Sequence, residues 1–184
     1  METDDFILKR IPKKARPYVV ATAGIALQAS YGWFLSFGNI LPYLVSYLRW
    51  KVDPNQTTGS MIWLLSLMNG IPFAVLIGGY LERKIGARLT IIIGSVQYTS
   101  MIALSYFSIQ HSYILLLITL GLLQCFGSGI AYNAIMIQAL RWFPGQAGMA
   151  SGLISAGAGL GGFFIAPIQT KFINPNNLPA NKDG

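Results

Sequence analysis

SYILLLITLGLLQCFGSGIAYNAIMIQAL, residues 112–140, contains no Asp, Glu, Lys or Arg. A helix of ~20 apolar residues, rising ~1.5 Å per residue, crosses the ~30 Å hydrocarbon core of a bilayer. This stretch exceeds that requirement and is apolar on every side, so water is the wrong solvent for it. Four further stretches read the same way: 18–48, 59–81, 89–108 and 149–168. The loops between them are too short to fold alone. The predicted fold is an all-α membrane protein with five transmembrane helices. A basic segment, 1–17, precedes the membrane region, 18–168, and a tail, 169–184, follows it. The lipid bilayer is the first partner that this pattern implies.

Composition agrees. Hydrophobic residues make up 53% of the 184 residues and charged residues only 10%, against about 25% charged in soluble proteins. The net charge of +7 is read as loop charge, because no groove-reading motif accompanies it and no nucleic-acid partner is implied. Lys9, Arg10, Lys13, Lys14 and Arg16 precede the first span, Arg83, Lys84 and Arg88 follow the second, and Arg141 follows the fourth. One side thus carries nine of the 13 basic residues, which predicts a cytoplasmic N-terminus and an external tail. The spans suit the plasma membrane ahead of an organelle. The opening residues lack the short apolar core and cleavage site of a signal peptide. Asn55-Gln56-Thr57 is a glycosylation sequon in a loop predicted to be external.

Amides mark four of the spans: Gln28 and Asn39, Asn69, Gln97, and Gln124, Asn133 and Gln138. An unpaired amide in hydrocarbon costs several kcal/mol, so each must face another helix or a wet path. Two readings are open. One is interhelical hydrogen bonding; the other is the lining of a substrate path. Clustering favours Gln28, Tyr31, Asn39, Gln124 and Asn133 as path candidates. Small residues crowd the fifth span, where Gly157 and Gly161 form a GxxxG and Gly152 extends the set, as expected for close helix packing. Pro42 and Pro72 are expected to kink the first two spans.

Catalytic chemistry has no support here. There is no Ser/His/Asp set, no carboxylate pair, no phosphate loop and no helical HExxH. Cys125 and His111 are each the sole residue of their kind, so neither a disulfide within the chain nor a metal site is predicted. No cofactor is implied.

The loop after the second span reads GGYLERKIGAR, residues 78–88. It resembles the GxLaDrxGrr loop of the major facilitator superfamily. Gly79, Leu81, Lys84, Gly86 and Arg88 match; Arg83 stands at the aspartate position, with Glu82 one place earlier. The junction after the fourth span, Arg141-Trp142-Phe143-Pro144 running to Gly148 and Gly152, is similar to the RWFP…RGxAxG junction of the oxalate/formate antiporter-like branch, which is close to the monocarboxylate transporters. GNILPYLVSYLR, residues 38–49, also resembles that branch.

The resemblance implies two six-helix halves around a central cavity that opens alternately to either side. It implies small organic anions, such as oxalate, formate, lactate or pyruvate, as substrates. The five spans then form part of the N-terminal six-helix half, and the complementary half or a homologous chain is the implied protein partner. In the resemblance, helices one and four line the path and helix five packs on the other half. A rival expectation is a truncated, non-transporting membrane protein that assembles with a full-length relative.

Overall fold

In the computed structural model, residues 10–69 and 72–176 are described. The expectations that concern Lys9, Lys182 and most of the terminal segments lie outside them. Helices account for all regular structure among the described residues. The first span comprises α1 (Arg16–Tyr31), a tight 3₁₀ segment (Gly32–Ser36) and α2 (Phe37–Lys51). The second comprises α3 (Met61–Asn69) and α4 (Pro72–Ile85), and the third is α5 (Ala87–His111). The fourth comprises α6 (Tyr113–Leu116), a widened π segment (Leu117–Leu123) and α7 (Gln124–Trp142); the fifth is α8 (Ala147–Ile173). All five are long and apolar enough to cross a membrane.

Several boundaries differ from the sequence expectation. Residues 169–173, read as tail, continue the fifth helix. In the first span a 3₁₀ segment falls at Gly32–Ser36, while Pro42 lies inside α2. Gly32 there lies against the backbone of the fifth span, where a Cβ would overlap the Ala158 carbonyl. Pro72 borders residues 70–71, so the bend expected there lies outside the described residues. Between the second and third spans Gly86, at φ +84°, makes the sharp turn, and Gly145, also at φ +84°, makes the one after the fourth. Both are conformations that a Cβ disfavours.

The fourth span is the hub: half of its most apolar window is buried, against 17% for the third span. One core cluster joins Phe37, Leu44, Val45 and Leu48 of the first span to Met61, Leu64 and Met68 of the second and Leu116 and Leu120 of the fourth. A second joins Ile135 and Ala139 to Ala150 and Ile154, at the opposite end of the bundle. Outward-facing Trp63, Phe73, Leu76, Val96, Phe107, Phe163 and Phe164 are exposed, as a hydrocarbon solvent requires and water does not.

Candidate functional site

Two polar constellations lie inside this apolar bundle. The first ties the loop motif to the junction motif. α4 continues through Glu82, burying its side chain to 2% exposure. The last turn of α7 brings Arg141 opposite: its Nη1 donates to Glu82 Oε1 at 2.6 Å and its Nη2 to Oε2 at 3.1 Å. Gln138, one turn earlier on α7, donates a third bond to Oε1 at 3.1 Å. This forked geometry satisfies a carboxylate that would otherwise be costly to bury. The acid that makes the pair therefore stands one place before the motif's aspartate position. Arg83, at that position, is exposed, as are Lys84 and Arg88, while Leu81 is half-buried. At the junction, half-buried Phe143 packs on the second core cluster, Trp142 is half-buried, and Pro144 and Gly148 are exposed.

The second constellation lies near mid-bilayer. Tyr98 sits about 16 Å along α5 from its start, and Gln124 about 16 Å along the fourth span, at ~1.5 Å per residue. Gln28, Tyr98 and Gln124 are all buried. Tyr31 reaches α5 twice: its hydroxyl bonds to Ser95 Oγ at 2.6 Å, and its ring meets Tyr98 edge-on at 4.6 Å between centroids. The Tyr98 hydroxyl lies beside the side chains of Trp33 and Gln124. Among the described residues, Gln28 Nε2, Trp33 Nε1 and Tyr98 Oη are buried and have no hydrogen-bond partner. Two of these atoms are N–H donors only, and the third can donate. Such orphans are rare in folded proteins.

The other path candidates divide differently. Asn133 donates to the Val75 carbonyl at 2.6 Å, tying the fourth span to the second above Gly79, whose Cβ would meet the amide. That is an interhelical bond of the ordinary kind. Gln97 reaches the Leu123 carbonyl, and Asn69 bonds within its own helix. Asn39 is exposed and stands apart from Gln28 and Tyr31, eleven residues beyond Gln28 in the later half of the first span. Gly157 and Gly161 lie against the first span: a Cβ on Gly157 would come within 2.6 Å of the Ile25 carbonyl oxygen, and one on Gly161 would overlap the Ala29 carbonyl. Gly152, grouped with them for packing, has open space where its Cβ would be, because it faces away from the first span. Sequence reasoning missed Trp33, Ser95 and Tyr98. The pair Ser95 and Tyr98, three apart on one helix face, carried the available signal.

No known family profile matches the chain, and no solved structure matches it. Similar proteins do exist. Apicoplast pyruvate carrier 1 of Toxoplasma gondii is 33% identical over 117 residues, which cover 63% of this chain and 21% of that protein. Monocarboxylate transporter 9 of Gallus gallus is 30% identical over 150 residues, 81% of this chain and 29% of that protein. MFS-type transporter 1 of Ophiocordyceps sp. (strain BCC 1869) is 28% identical over 153 residues, 82% and 32% respectively. The chain thus spans between about a fifth and a third of the length of these relatives. They are transporters, not enzymes. The resemblance to monocarboxylate-transporter-like proteins of the major facilitator superfamily is therefore carried by most of the chain. With five apolar spans, this is an integral, multi-pass membrane protein.

Proposed function

We propose that this chain forms the N-terminal part of an alternating-access secondary carrier for small organic anions, monocarboxylates first among them. The observation that carries the reading is the set of orphan donors on Gln28, Trp33 and Tyr98. Each unmatched group near mid-membrane costs free energy. A carboxylate is the complementary partner, since its two oxygens only accept. In this reading the bundle is closed around the cluster, and opening admits the anion to it. Gln124, beside Tyr98, and Tyr31, bonded to Ser95, hold the cluster's walls. Glu82 and Arg141 act as a latch between the ends of the second and fourth spans, which parts or rotates as the carrier rocks.

The partner we infer is the complementary half of the carrier or a homologous chain. Gly148, Gly152 and Gly159 on α8 have open space beside them, a smooth face suited to close helix approach. The positive charge of the loops supports a cytoplasmic N-terminus, and the plasma membrane is the inferred site; imaging a tagged carrier in cells decides the latter. The non-transporting alternative, assembly with a full-length relative, would use the same open face.

The test is uptake of labelled pyruvate and lactate into vesicles by the carrier that contains this chain. Substituting Gln28→Leu, Trp33→Phe and Tyr98→Phe removes the donors one at a time. Each is expected to reduce uptake by tenfold or more, about 1.4 kcal/mol of lost interaction, with normal membrane insertion. Wild-type rates in all three remove the cluster from the path.

A further inference from the structure

A third polar site lies where the later half of the first span meets the end of the fifth, toward the side opposite the basic loops. Ser36, Asn39 and Tyr43 fall at i, i+3 and i+7, so they share one face of the first span. The facing surface of α8 carries Pro167, Thr170 and Lys171, with Asn174 just beyond its end. Two bonds pin these surfaces together: Ser36 Oγ donates to Gln169 Oε1 at 2.7 Å, and Asn174 Nδ2 donates to the Tyr43 hydroxyl at 3.3 Å. Between the pins opens a cleft of about 430 Å³ lined by Asn39, Pro167, Thr170, Lys171 and Asn174. Its size lies within the ordinary range for small-molecule sites.

The chemistry of the lining is specific. Lys171 brings a full positive charge. Glu82 and Asp53 are the carboxylates among the described residues; Glu82 is engaged by Arg141, and Asp53 accepts from the Asn55 N–H. Neither neutralises Lys171. Asn39 contributes an exposed amide on the opposite wall. The C-terminal end of α8 carries only about half a negative charge, less than the ammonium provides, so among the described residues the cleft is net positive.

We propose that this cleft is a carboxylate-binding vestibule, with Lys171 as its cation and Asn39 as its hydrogen-bond donor. It takes a small organic anion beside the end of the fifth span, one stage before the mid-membrane donors. The choice of anion rests on the transport reading above. The geometry also accounts for Asn39, the path candidate that the mid-membrane cluster leaves out.

The experiment uses the chain in lipid nanodiscs with Cys125→Ala and a reporter, Ala166→Cys, on the cleft wall. Anionic and cationic methanethiosulfonate reagents are compared, each normalised to its rate with free cysteine. The anionic reagent is expected to react about 3- to 10-fold faster, the effect of one unit charge at ~6 Å in a watery cleft. Lys171→Gln should bring the ratio to about one, and Lys171→Arg should keep it. Millimolar pyruvate should slow labelling, and should not do so after Lys171→Gln or Asn39→Leu. A ratio indifferent to Lys171→Gln, or labelling that pyruvate does not slow, overturns the site. Equal slowing by chloride overturns carboxylate recognition. Pyruvate uptake by the carrier that contains this chain is measured alongside. Uptake without protection of the reporter sinks the vestibule alone; protection without uptake sinks the transport reading and leaves the vestibule standing.

Discussion

Glu82 shows how far a single side chain can depend on one partner. It is buried, and the forked bonds from Arg141, with Gln138 in support, hold its carboxylate. Arg141→Ala should cost about 1–3 kcal/mol, at the lower end because its guanidinium is 53% exposed. Thermal unfolding in detergent measures this. The double variant Glu82→Met/Arg141→Met should recover part of the loss, since it leaves no buried charge behind. Gln28 behaves in the opposite sense. Its orphan nitrogen already costs stability, so Gln28→Leu should leave the melting temperature unchanged or raise it while uptake falls. A fall in both would mark Gln28 as helix-joining glue. The sequence exposed Gln28, Tyr31 and Gln124 as polar groups in oil. It could not separate them from Asn133, because a bond to the Val75 carbonyl is invisible until the second and fourth spans are placed together.

At the scale of elements, α8 has two glycine faces with different duties. Gly157 and Gly161 allow α8 and α1 to touch backbone to backbone, while Gly152 points into open space. Gly161→Val should separate these helices and cut the yield of folded protein severalfold, read by detergent size-exclusion. Gly152→Val should leave that profile unchanged for this chain. If both variants behave alike, the two faces are not distinct. The fourth span carries the other lesson at this scale. Its first turns, Leu117–Leu123, are widened, and the Gln124 N–H bonds back to the Thr119 carbonyl. A facing argument built on 3.6 residues per turn fails across such a segment. Residues after it, Gln124 and Asn133 included, present different faces than a regular helix starting at Tyr113 would give them.

Taken whole, the molecule crosses its bilayer an odd number of times within the described residues. The loop at residues 52–60 and the loop at residues 143–146 therefore lie on opposite sides. In a Cys125→Ala background, Asn55→Cys should react with an impermeant maleimide on intact cells and Gln146→Cys only after permeabilisation. The reverse pattern would invert the inferred orientation, and equal labelling would break the five-span topology. The two core clusters occupy opposite ends of the bundle. The orphan donors on Gln28, Trp33 and Tyr98 lie near the middle of the bundle; in the proposed carrier that is where an entering anion would relieve their cost.

Length, apolarity and charge placement along the chain were enough to establish five membrane helices, because the bilayer imposes one rule on every backbone: bond internally or pay several kcal/mol. The same local information located the loop motifs that proved to hold Glu82 and Arg141. Which polar groups found partners was decided only when the helices packed. Hydrogen bonds such as those of Asn133 to Val75, Ser36 to Gln169 and Glu82 to Arg141 join residues more than fifty positions apart, and their existence depends on angles and offsets between helices that no local pattern encodes. The orphan atoms of Gln28, Trp33 and Tyr98, like the cleft beside Lys171, are what remained once those bonds were made.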